Sequence, residues 1–368
     1  MKKSQKKPFR PLFAPLAGAY FSIVKKLGAK YEVDDEFKTK WILTKAVSAI
    51  STAFGYFDRL IWDKKEVVET NDPLFIIGHW RSGTTLLHNA ICETGDVSYT
   101  TTYHGVFPNN LFFAKWLFKS IMRLLMPKER PGDGVKLSPN FPQEEEIALG
   151  NEISHSYYYW FYFPRHTMEF AKKFLFDNTD EAKKDLWRKN YKRFVHRCEA
   201  NRNGRFFISK NPPNTFRIEE LLRMYPSAKF VFIHRDPYDV FLSCRRFFWE
   251  TIQGIQLQKI PEQEFDRNTL VVYKKMMEKY NETKQLIPKD QLYELSYTEL
   301  IGNPMGQIKN INTALSLGFD EDKLNHVSKY IDKHRGHVVK KYQYNREDIT
   351  LVNSNWTPFL TELGYKKR

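Results

Sequence analysis

Two glycines, Gly78 and Gly83, frame four residues between an apolar run and a helical pattern. This spacing matches the glycines of a phosphate-binding loop, in which successive backbone N–H groups point at one anion. The helix that follows adds the positive end of its dipole. Ser82, Thr84 and Thr85 supply hydroxyl donors at the same turn. The loop therefore predicts an anion site at a strand-to-helix junction.

The loop lacks the lysine with which nucleoside triphosphatases reach the β- and γ-phosphates, because Thr84 stands at that position. The nearest cation is Arg81, inside the loop. The sequence also offers no convincing aspartate within an apolar strand-like run to hold magnesium. We therefore expect the loop to bind a terminal 5′-phosphate and its substituent without a metal ion. A P-loop nucleotide kinase is the distant alternative.

A second strand-to-helix junction carries another candidate anion site. Arg235 follows an apolar run, Asp236 suits a helix N-cap, and Pro237 suits the first helical position. Ser243 follows Arg235 by about two helical turns, so the two side chains can share one helix face. A guanidinium and a hydroxyl together can hold a phosphate. An ion pair of Arg235 with Asp236 or Asp239 is the alternative interpretation.

Strand-like and helical runs alternate after residue 73, which is typical of a parallel α/β sheet with helices on both faces. Both anion sites would then lie at the carboxyl edge of the sheet. We predict a P-loop-like sheet of about five strands, at residues 74–78, 97–101, 205–210, 229–234 and 291–295, with helices that start near Gly83, Pro213 and Pro237. An aromatic-rich helical insertion is predicted for residues 105–200, and a mobile basic loop for residues 330–345.

The net charge of +15 and the 42% of hydrophobic residues indicate a folded protein with an anionic partner. No RNA-binding, helix-turn-helix or zinc-finger pattern is visible, so we do not expect nucleic acid to be that partner. Cys92, Cys198 and Cys244 are far apart and lack metal-binding spacing. They indicate buried free thiols in a reducing, cytoplasmic compartment.

The first thirty residues are basic and apolar, but prolines interrupt the apolar run. No window reaches the roughly 20 apolar residues that a membrane span requires. Two interpretations stay open: a basic amphipathic segment on a membrane surface, or a helix packed on the core. We treat residues 1–70 as a helical N-terminal extension and residues 71–368 as the main domain.

The two predicted phosphate sites together resemble those of the sulfotransferases. "RSGTTLLH" is similar to the family's 5′-phosphosulfate loop, and "FVFIHRDPYDVFLS" is similar to its 3′-phosphate segment. The resemblance covers residues from about 73 to 318. It is strongest to the bacterial branch that shares the layout of the tyrosylprotein and carbohydrate sulfotransferases. It implies 3′-phosphoadenosine 5′-phosphosulfate as the donor and no metal ion.

The resemblance also implies roles for single residues. Those expected to hold the 5′-phosphosulfate are Arg81, Ser82, Gly83, Thr84 and Thr85. Arg235 and Ser243 would hold the 3′-phosphate, and Arg335 lies in a basic segment similar to the family's closing loop. Lys210 stands just past a strand-like run, where related enzymes place a catalytic lysine.

Sulfuryl transfer to an alcohol needs a base for the hydroxyl proton and cations near the leaving phosphate. Arg81 and Lys210 are the candidate cations. Related bacterial sequences carry Trp-Glu-x-x-x-Pro where this chain reads "YHGVFP", which puts His104 at the position of the glutamate. A neutral imidazole can accept an alcohol proton near pH 7. The acidic run "PQEEEIAL" offers an alternative base, Glu144 or Glu145, and we assign Glu145. The other interpretation of this run is a charged helix start.

The runs "SYYYWFYFP" and "FPNNLFFAKWLFKSIMRLLM" are strongly aromatic and apolar. They predict an apolar wall around a hydrophobic alcohol acceptor, with a sterol slightly ahead of a lipid alcohol. A glycan or glycolipid hydroxyl is the alternative acceptor, and a plain core for the insertion is the structural alternative.

Overall fold

Five parallel strands form one sheet in the computed structural model of the protein. Their order is β2-β3-β1-β4-β5, and every neighbouring pair is parallel. The strands are β1 (Asn71–Ile77), β2 (Val97–Tyr99), β3 (Phe206–Lys210), β4 (Lys229–His234) and β5 (Leu292–Ser296). All five strand predictions are confirmed, with ends that shift by up to three residues.

The structure describes residues 10–62, 71–129, 137–175, 180–202, 204–334 and 342–368. Their α-helices are α1 (Phe21–Lys30), α2 (Lys38–Trp62), α3 (Thr84–Cys92), α4 (Thr102–Val106), α5 (Lys115–Leu125), α6 (Glu146–Ile153), α7 (Thr167–Phe174), α8 (Glu181–Glu199), α9 (Ile218–Met224), α10 (Pro237–Glu250), α11 (Glu262–Thr283), α12 (Tyr297–Gly302), α13 (Pro304–Ala314), α14 (Glu321–His334) and α15 (Arg346–Glu362). None of these described helices is long and apolar enough to cross a bilayer.

Helices cover both faces of the sheet, as predicted. Phe75 and Ile77 of β1 pack into a core with α8, α9, α10, α11 and α15. Leu74 and Ile76 point the other way, into a core with α3, α12, α13 and α14. Because both faces are buried, the central strands are continuous apolar runs rather than alternating ones. The sheet therefore presents its carboxyl edge, and neither face, for ligand binding.

The helix predicted near Pro213 begins later than expected. Residues Pro212–Phe216 form a 3-10 helix, and α9 begins only at Ile218. The two helices are interrupted at Arg217, whose φ of −118° and ψ of 17° leave the helical region and whose buried side chain pairs with Glu146. The other two predicted helix starts are confirmed, because α3 begins at Thr84 and α10 at Pro237.

The N-terminal segment packs on the core. Ile23, Val24 and Leu27 of α1 are buried in the same apolar cluster as Tyr157 and Phe163 of the aromatic insertion. Of the two interpretations of this segment, the described residues therefore support the helix packed on the core. Residues 1–9 lie outside the described part of the chain. The three cysteines are buried and form no disulfide, as predicted.

A buried ion-pair network ties α2 to the insertion. Arg197 of α8 donates to Asp58 of α2 at 3.1 Å and to Glu152 of α6 at 2.9 Å. The other oxygen of Asp58 accepts from the backbone N–H groups of Phe112 and Phe113, at 2.6 Å each. The carboxylate of Asp58 thus joins α2 to α8 and to the segment before α5.

Arg197→Ala is expected to destabilise the protein by about 3–5 kcal/mol, because it leaves Asp58 buried without its cation. The midpoint of urea unfolding measures the change. The control is Arg223→Ala, whose exposed pairs with Glu181 and Glu219 are worth less than about 1 kcal/mol. Equal losses in the two variants would contradict a structural role for the buried network.

Candidate active site

The loop between β1 and α3 has the backbone shape that the glycine spacing predicts. Gly78 has φ +131° and Gly83 has φ +99°, in the region that favours glycine. A Cβ at Gly78 would lie 2.2 Å from the carbonyl oxygen of Ile233, and one at Gly83 would lie 2.5 Å from the Tyr297 ring. The loop therefore lies too close to β4 and α12 for any side chain at either glycine.

The loop also presents groups that suit an anion. Helix α3 begins at Thr84, directly after Gly83; the N–H groups of Leu86 and Leu87 bond the Gly83 carbonyl, whereas those of Thr84 and Thr85 precede the first intrahelical bond. Ser82 and Thr84 are buried in the turn, and Thr85 is half-buried. Together with the dipole of α3, these donors match a phosphate or a phosphosulfate.

The second predicted site lies at the end of β4. Asp236 caps α10 by accepting from the N–H of Tyr238 at 2.9 Å, and Pro237 takes the first helical position, as predicted. Arg235 pairs with Asp239 at 3.0 Å, which is one of the two ion pairs considered from sequence. Its guanidinium also lies 4.6 Å from the ring centre of Tyr297. Arg235 is thus held in place beside the first loop.

Arg81 connects the two sites. Its carbonyl oxygen accepts from Arg235 at 3.4 Å, and its own Nε donates to the hydroxyl of Ser243 at 3.1 Å. The guanidinium lies 4.9 Å from the ring centre of Phe247 on α10. The structure therefore brings Arg81, Arg235 and Ser243 together at one corner of the sheet edge. Arg335 lies outside the described residues, as do residues 336–341. Of the basic loop predicted for residues 330–345, residues 330–334 belong instead to α14.

Lys210 is buried in a chain of polar contacts. It ends β3, its side chain is only 4% exposed, and it donates to one carboxylate oxygen of Glu144. The other oxygen of Glu144 accepts from the hydroxyl of Tyr158, which in turn accepts from the indole N–H of Trp80 at 2.7 Å. Burial, with the Glu144 carboxylate next, raises the pKa of Tyr158 well above its ordinary value. Tyr158 therefore stays protonated and donates to Glu144.

Glu145 does not reach this cluster. Its buried carboxylate accepts from Tyr191 at 2.6 Å, from Asn214 at 3.1 Å and from Ser209. Burial raises the pKa of this carboxyl group. These contacts join β3, α8 and the insertion, which is a structural role. The contacts that we expected of Glu145 are made by the preceding residue, Glu144.

The His104 ring folds back onto the N-terminus of its own helix. Its Nδ1 accepts from the N–H of Thr101 at 3.4 Å, and the Thr101 hydroxyl accepts from the N–H of His104 at 3.1 Å. Burial, followed by the charges of Lys115 and Lys119, lowers the pKa of His104 to about 3. In the neutral ring that accepts at Nδ1, the proton sits on Nε2. Such a ring is a poor proton acceptor near pH 7.

An apolar cleft opens beside the loop. Its lining combines loop residues, part of the first aromatic run, and the helices α7, α10 and α11: His79, Trp80, Tyr157, Trp160, Phe161, Thr167, Cys244, Phe247, Phe265, Asn268, Thr269 and Val272. The second aromatic run, residues 107–126, packs instead against α2. Of the two runs predicted to form an apolar wall, the first one lines this cleft.

Sequence reasoning missed three residues of the site: His79, Trp80 and Tyr158. His79 lines the cleft, lies 2.9 Å from the carbonyl oxygen of Trp80 through Nδ1, and has its pKa lowered by burial to about 4. Its position directly after Gly78, the first loop glycine, could have identified His79 as a residue of the site. Tyr158 carried no separate signal, because its neighbours on both sides are also aromatic.

The sequence and the structure were then compared with known proteins. A family model described as the sulfotransferase family matches residues 73–321, which is more than half of the chain. The chain belongs to the sulfotransferase family. This membership agrees with the resemblance of the two phosphate segments, and it makes the protein a sulfotransferase rather than a nucleotide kinase.

Two mycobacterial relatives of this sulfotransferase carry the same description. They are the omega-hydroxy-beta-dihydromenaquinone-9 sulfotransferases of Mycobacterium tuberculosis and Mycobacterium bovis. Each is 28% identical over 328 residues, which cover 89% of this chain and 84% of the relative.

Two crystal structures share the fold. The sulfotransferase STF9 from Mycobacterium avium has a TM-score of 0.72 at 15% identity, and the match covers 95% of this chain and 97% of that one. STF1 from Mycobacterium tuberculosis has a TM-score of 0.68 at 16% identity, and the match covers 91% and 90%. At these identities the likeness concerns the fold alone.

Proposed function

We propose that this sulfotransferase moves the sulfuryl group of 3′-phosphoadenosine 5′-phosphosulfate to the hydroxyl of a lipid alcohol. The proposal rests on one observation: Arg81 contacts residues of both predicted anion sites, Arg235 and Ser243 among them, directly beside an apolar cleft. A donor with phosphate at both its 3′ and 5′ positions requires two such sites at a fixed separation. An acceptor with a long apolar body requires the cleft.

The donor fits the residues at the sheet edge. The first-turn amides of α3 and the hydroxyls of Ser82, Thr84 and Thr85 suit the 5′-phosphosulfate. Arg235 and Ser243 suit the 3′-phosphate, and they are already oriented by contacts with Arg81. Such preorganised donors lose little conformational freedom when the nucleotide binds.

Glu144 is the base that the geometry supports best. Its carboxylate accepts from Lys210 and Tyr158, and Tyr158 in turn accepts from Trp80, which lines the cleft. His104 and Glu145 are less suitable, because the first accepts a hydrogen bond at Nδ1 and the second is fully buried, with three donors on one of its oxygens.

In the proposed reaction the acceptor oxygen attacks sulfur in line with the bond to the 5′-phosphate. The S–O bond to that phosphate breaks, and its electron pair stays on the leaving bisphosphate. The hydroxyl proton passes to the carboxylate of Glu144. Lys210 is placed to stabilise the charge that builds on the leaving phosphate. A phosphosulfate that attracts Lys210 would also free one oxygen of Glu144 to accept the proton.

Glu144→Gln is expected to lower kcat by about 10²-fold or more, because the amide cannot take the proton. The Kd for adenosine 3′,5′-bisphosphate should stay within about threefold of that of the unmodified enzyme, since phosphate contacts are kept. His104→Gln is the comparison variant, and its kcat should stay within about threefold of that of the unmodified enzyme. The opposite ranking of the two variants would assign the base to His104. Steady-state kinetics with labelled donor measure the kcat of both variants.

A lipid alcohol now ranks ahead of a sterol as the proposed acceptor. Aromatic side chains dominate the cleft, and its lining residues include no carboxylate. Sugar sites usually combine aromatic rings with several carboxylates and amides. The mycobacterial relatives, whose description names a menaquinone with an omega-hydroxyl, add support for a lipid of this kind.

Thr269→Trp is expected to raise KM for a lipid alcohol at least about tenfold, because the indole fills part of the cleft. Assays compare long-chain isoprenoid alcohols, sterols and sugars as acceptors, with the Kd for adenosine 3′,5′-bisphosphate as a folding check. Thr361→Trp is a matched control, since both hydroxyls bond the carbonyl one helical turn earlier and Thr361 is exposed on α15. Activity on sugars alone would contradict the lipid acceptor.

A further inference from the structure

Helix α2 turns small and polar side chains inward over most of its length and large apolar side chains outward. The inward face carries Thr44, Ser48, Ser51, Gly55 and Asp58, between Trp41 and Trp62, all of them buried. The outward face is formed by large apolar residues, all exposed: Ile42, Leu43, Ile50, Tyr56, Phe57, Leu60 and Ile61. A surface helix of a water-soluble domain shows the reverse arrangement.

The inward face of α2 is fastened by specific hydrogen bonds, so its orientation is well determined. The hydroxyl of Thr44 accepts from the N–H of Ala14 at 3.0 Å, and the hydroxyl of Ser48 donates to the carbonyl of Ala19 at 2.7 Å. Ser51 donates to the side chain of Asn110 at 2.6 Å. Rotating α2 to bury its apolar side would break these bonds and the ion pair of Asp58.

Helix α5 extends the exposed apolar surface. Phe118 and Met122 are buried, whereas four large apolar side chains of this helix are exposed: Trp116, Ile121, Leu124 and Leu125. Eleven of the sixteen exposed large hydrophobic side chains in the described part of the chain lie on α2 and α5. We call these eleven residues the apolar face.

Ring contacts join the two helices into one surface. Phe54 of α2 lies 5.5 Å from Phe118 of α5, between ring centres. Phe57 of α2 lies 5.1 Å from Phe113, which precedes α5. Phe57 itself belongs to the apolar face, so the surface continues from α2 to the start of α5. Contiguous exposed apolar surface of this kind marks a site of interaction.

The charged side chains of α2 and α5 themselves are basic except for one, and Lys38 pairs with Asp35 just before α2. The one acidic residue in α2 is Asp58, which is buried in its pair with Arg197, and α5 has none. The cationic residues of the two helices are Lys38, Lys40, Lys45, Arg59, Lys115, Lys119 and Arg123. An apolar surface with basic residues and interfacial aromatics such as Trp116 and Tyr56 matches the boundary of an anionic lipid leaflet.

We propose that the apolar face of α2 and α5 docks the enzyme on an anionic membrane, with both helices lying in the plane of the lipid surface. A second copy of the chain fits less well, because pairing this face with itself would bring together two surfaces that each carry seven cations on α2 and α5 and no exposed acidic residue on those helices. The membrane contact then lies on α2 and α5, whereas the sequence suggested the first thirty residues. The proposal rests on this surface alone and does not depend on the identity of the sulfuryl donor or acceptor.

The test is co-sedimentation with vesicles of phosphatidylglycerol and phosphatidylcholine, with phosphatidylcholine vesicles as the uncharged comparison. The double variant Ile50→Glu and Leu124→Glu changes two side chains that are 54% and 83% exposed. We expect it to lose at least about tenfold in vesicle partitioning, because charge replaces inserted apolar area. Leu186→Glu with Leu286→Glu is the matched control, at 60% and 51% exposure, and should bind as the unmodified protein does.

A second measurement does not depend on those variants. Trp116 is 74% exposed, so brominated lipid should quench part of the protein's fluorescence, and Trp116→Phe should lose that part. Absence of vesicle binding by the unmodified protein, or equal binding by both double variants, would overturn the proposal. So would light scattering that shows a dimer converted to a monomer by Ile50→Glu and Leu124→Glu while vesicle binding persists. That last result would assign the face to a second copy.

Discussion

The site depends on the close contact between the phosphate loop and the end of β4. Gly78 approaches Ile233 so closely that no Cβ fits, and Arg235, just past the same strand, donates to the carbonyl oxygen of Arg81. The two anion-binding segments are more than 150 residues apart in sequence, yet adjacent parallel strands place them side by side. Because this spacing is set by strand pairing, it is as rigid as the centre of the sheet.

A second constraint acts on the carboxylates that begin the insertion. Glu144, Glu145 and Glu146 are consecutive, but they point to three different partners, because a turn enters α6 here. Glu144 reaches Lys210, Glu145 is enclosed around Ser209, and Glu146 pairs with buried Arg217 at 2.7 Å. One carboxylate thus contacts Lys210 and Tyr158, while its two neighbours hold the insertion onto the sheet.

The fold and the backbone of the two predicted phosphate segments could be predicted from sequence because local rules govern them. The glycines of the loop, the capping aspartate before α10 and the apolar runs each act over a few residues. Glu144 and Tyr158 could not be chosen from sequence, since their roles depend on which way a turn and a 3-10 helix point them. The outward position of the apolar side of α2 could not be predicted either, because a helical pattern does not reveal which face of the helix packs against the rest of the protein.

The central claim is that one nucleotide is held at both ends, by the loop at Gly83 and by Arg235. Isothermal calorimetry with adenosine 3′,5′-bisphosphate and with AMP tests it most directly. The account predicts that the bisphosphate binds at least about tenfold more tightly, which is about 1.4 kcal/mol, and that Arg235→Met abolishes this preference. Equal affinity of the unmodified enzyme for the two nucleotides would contradict it.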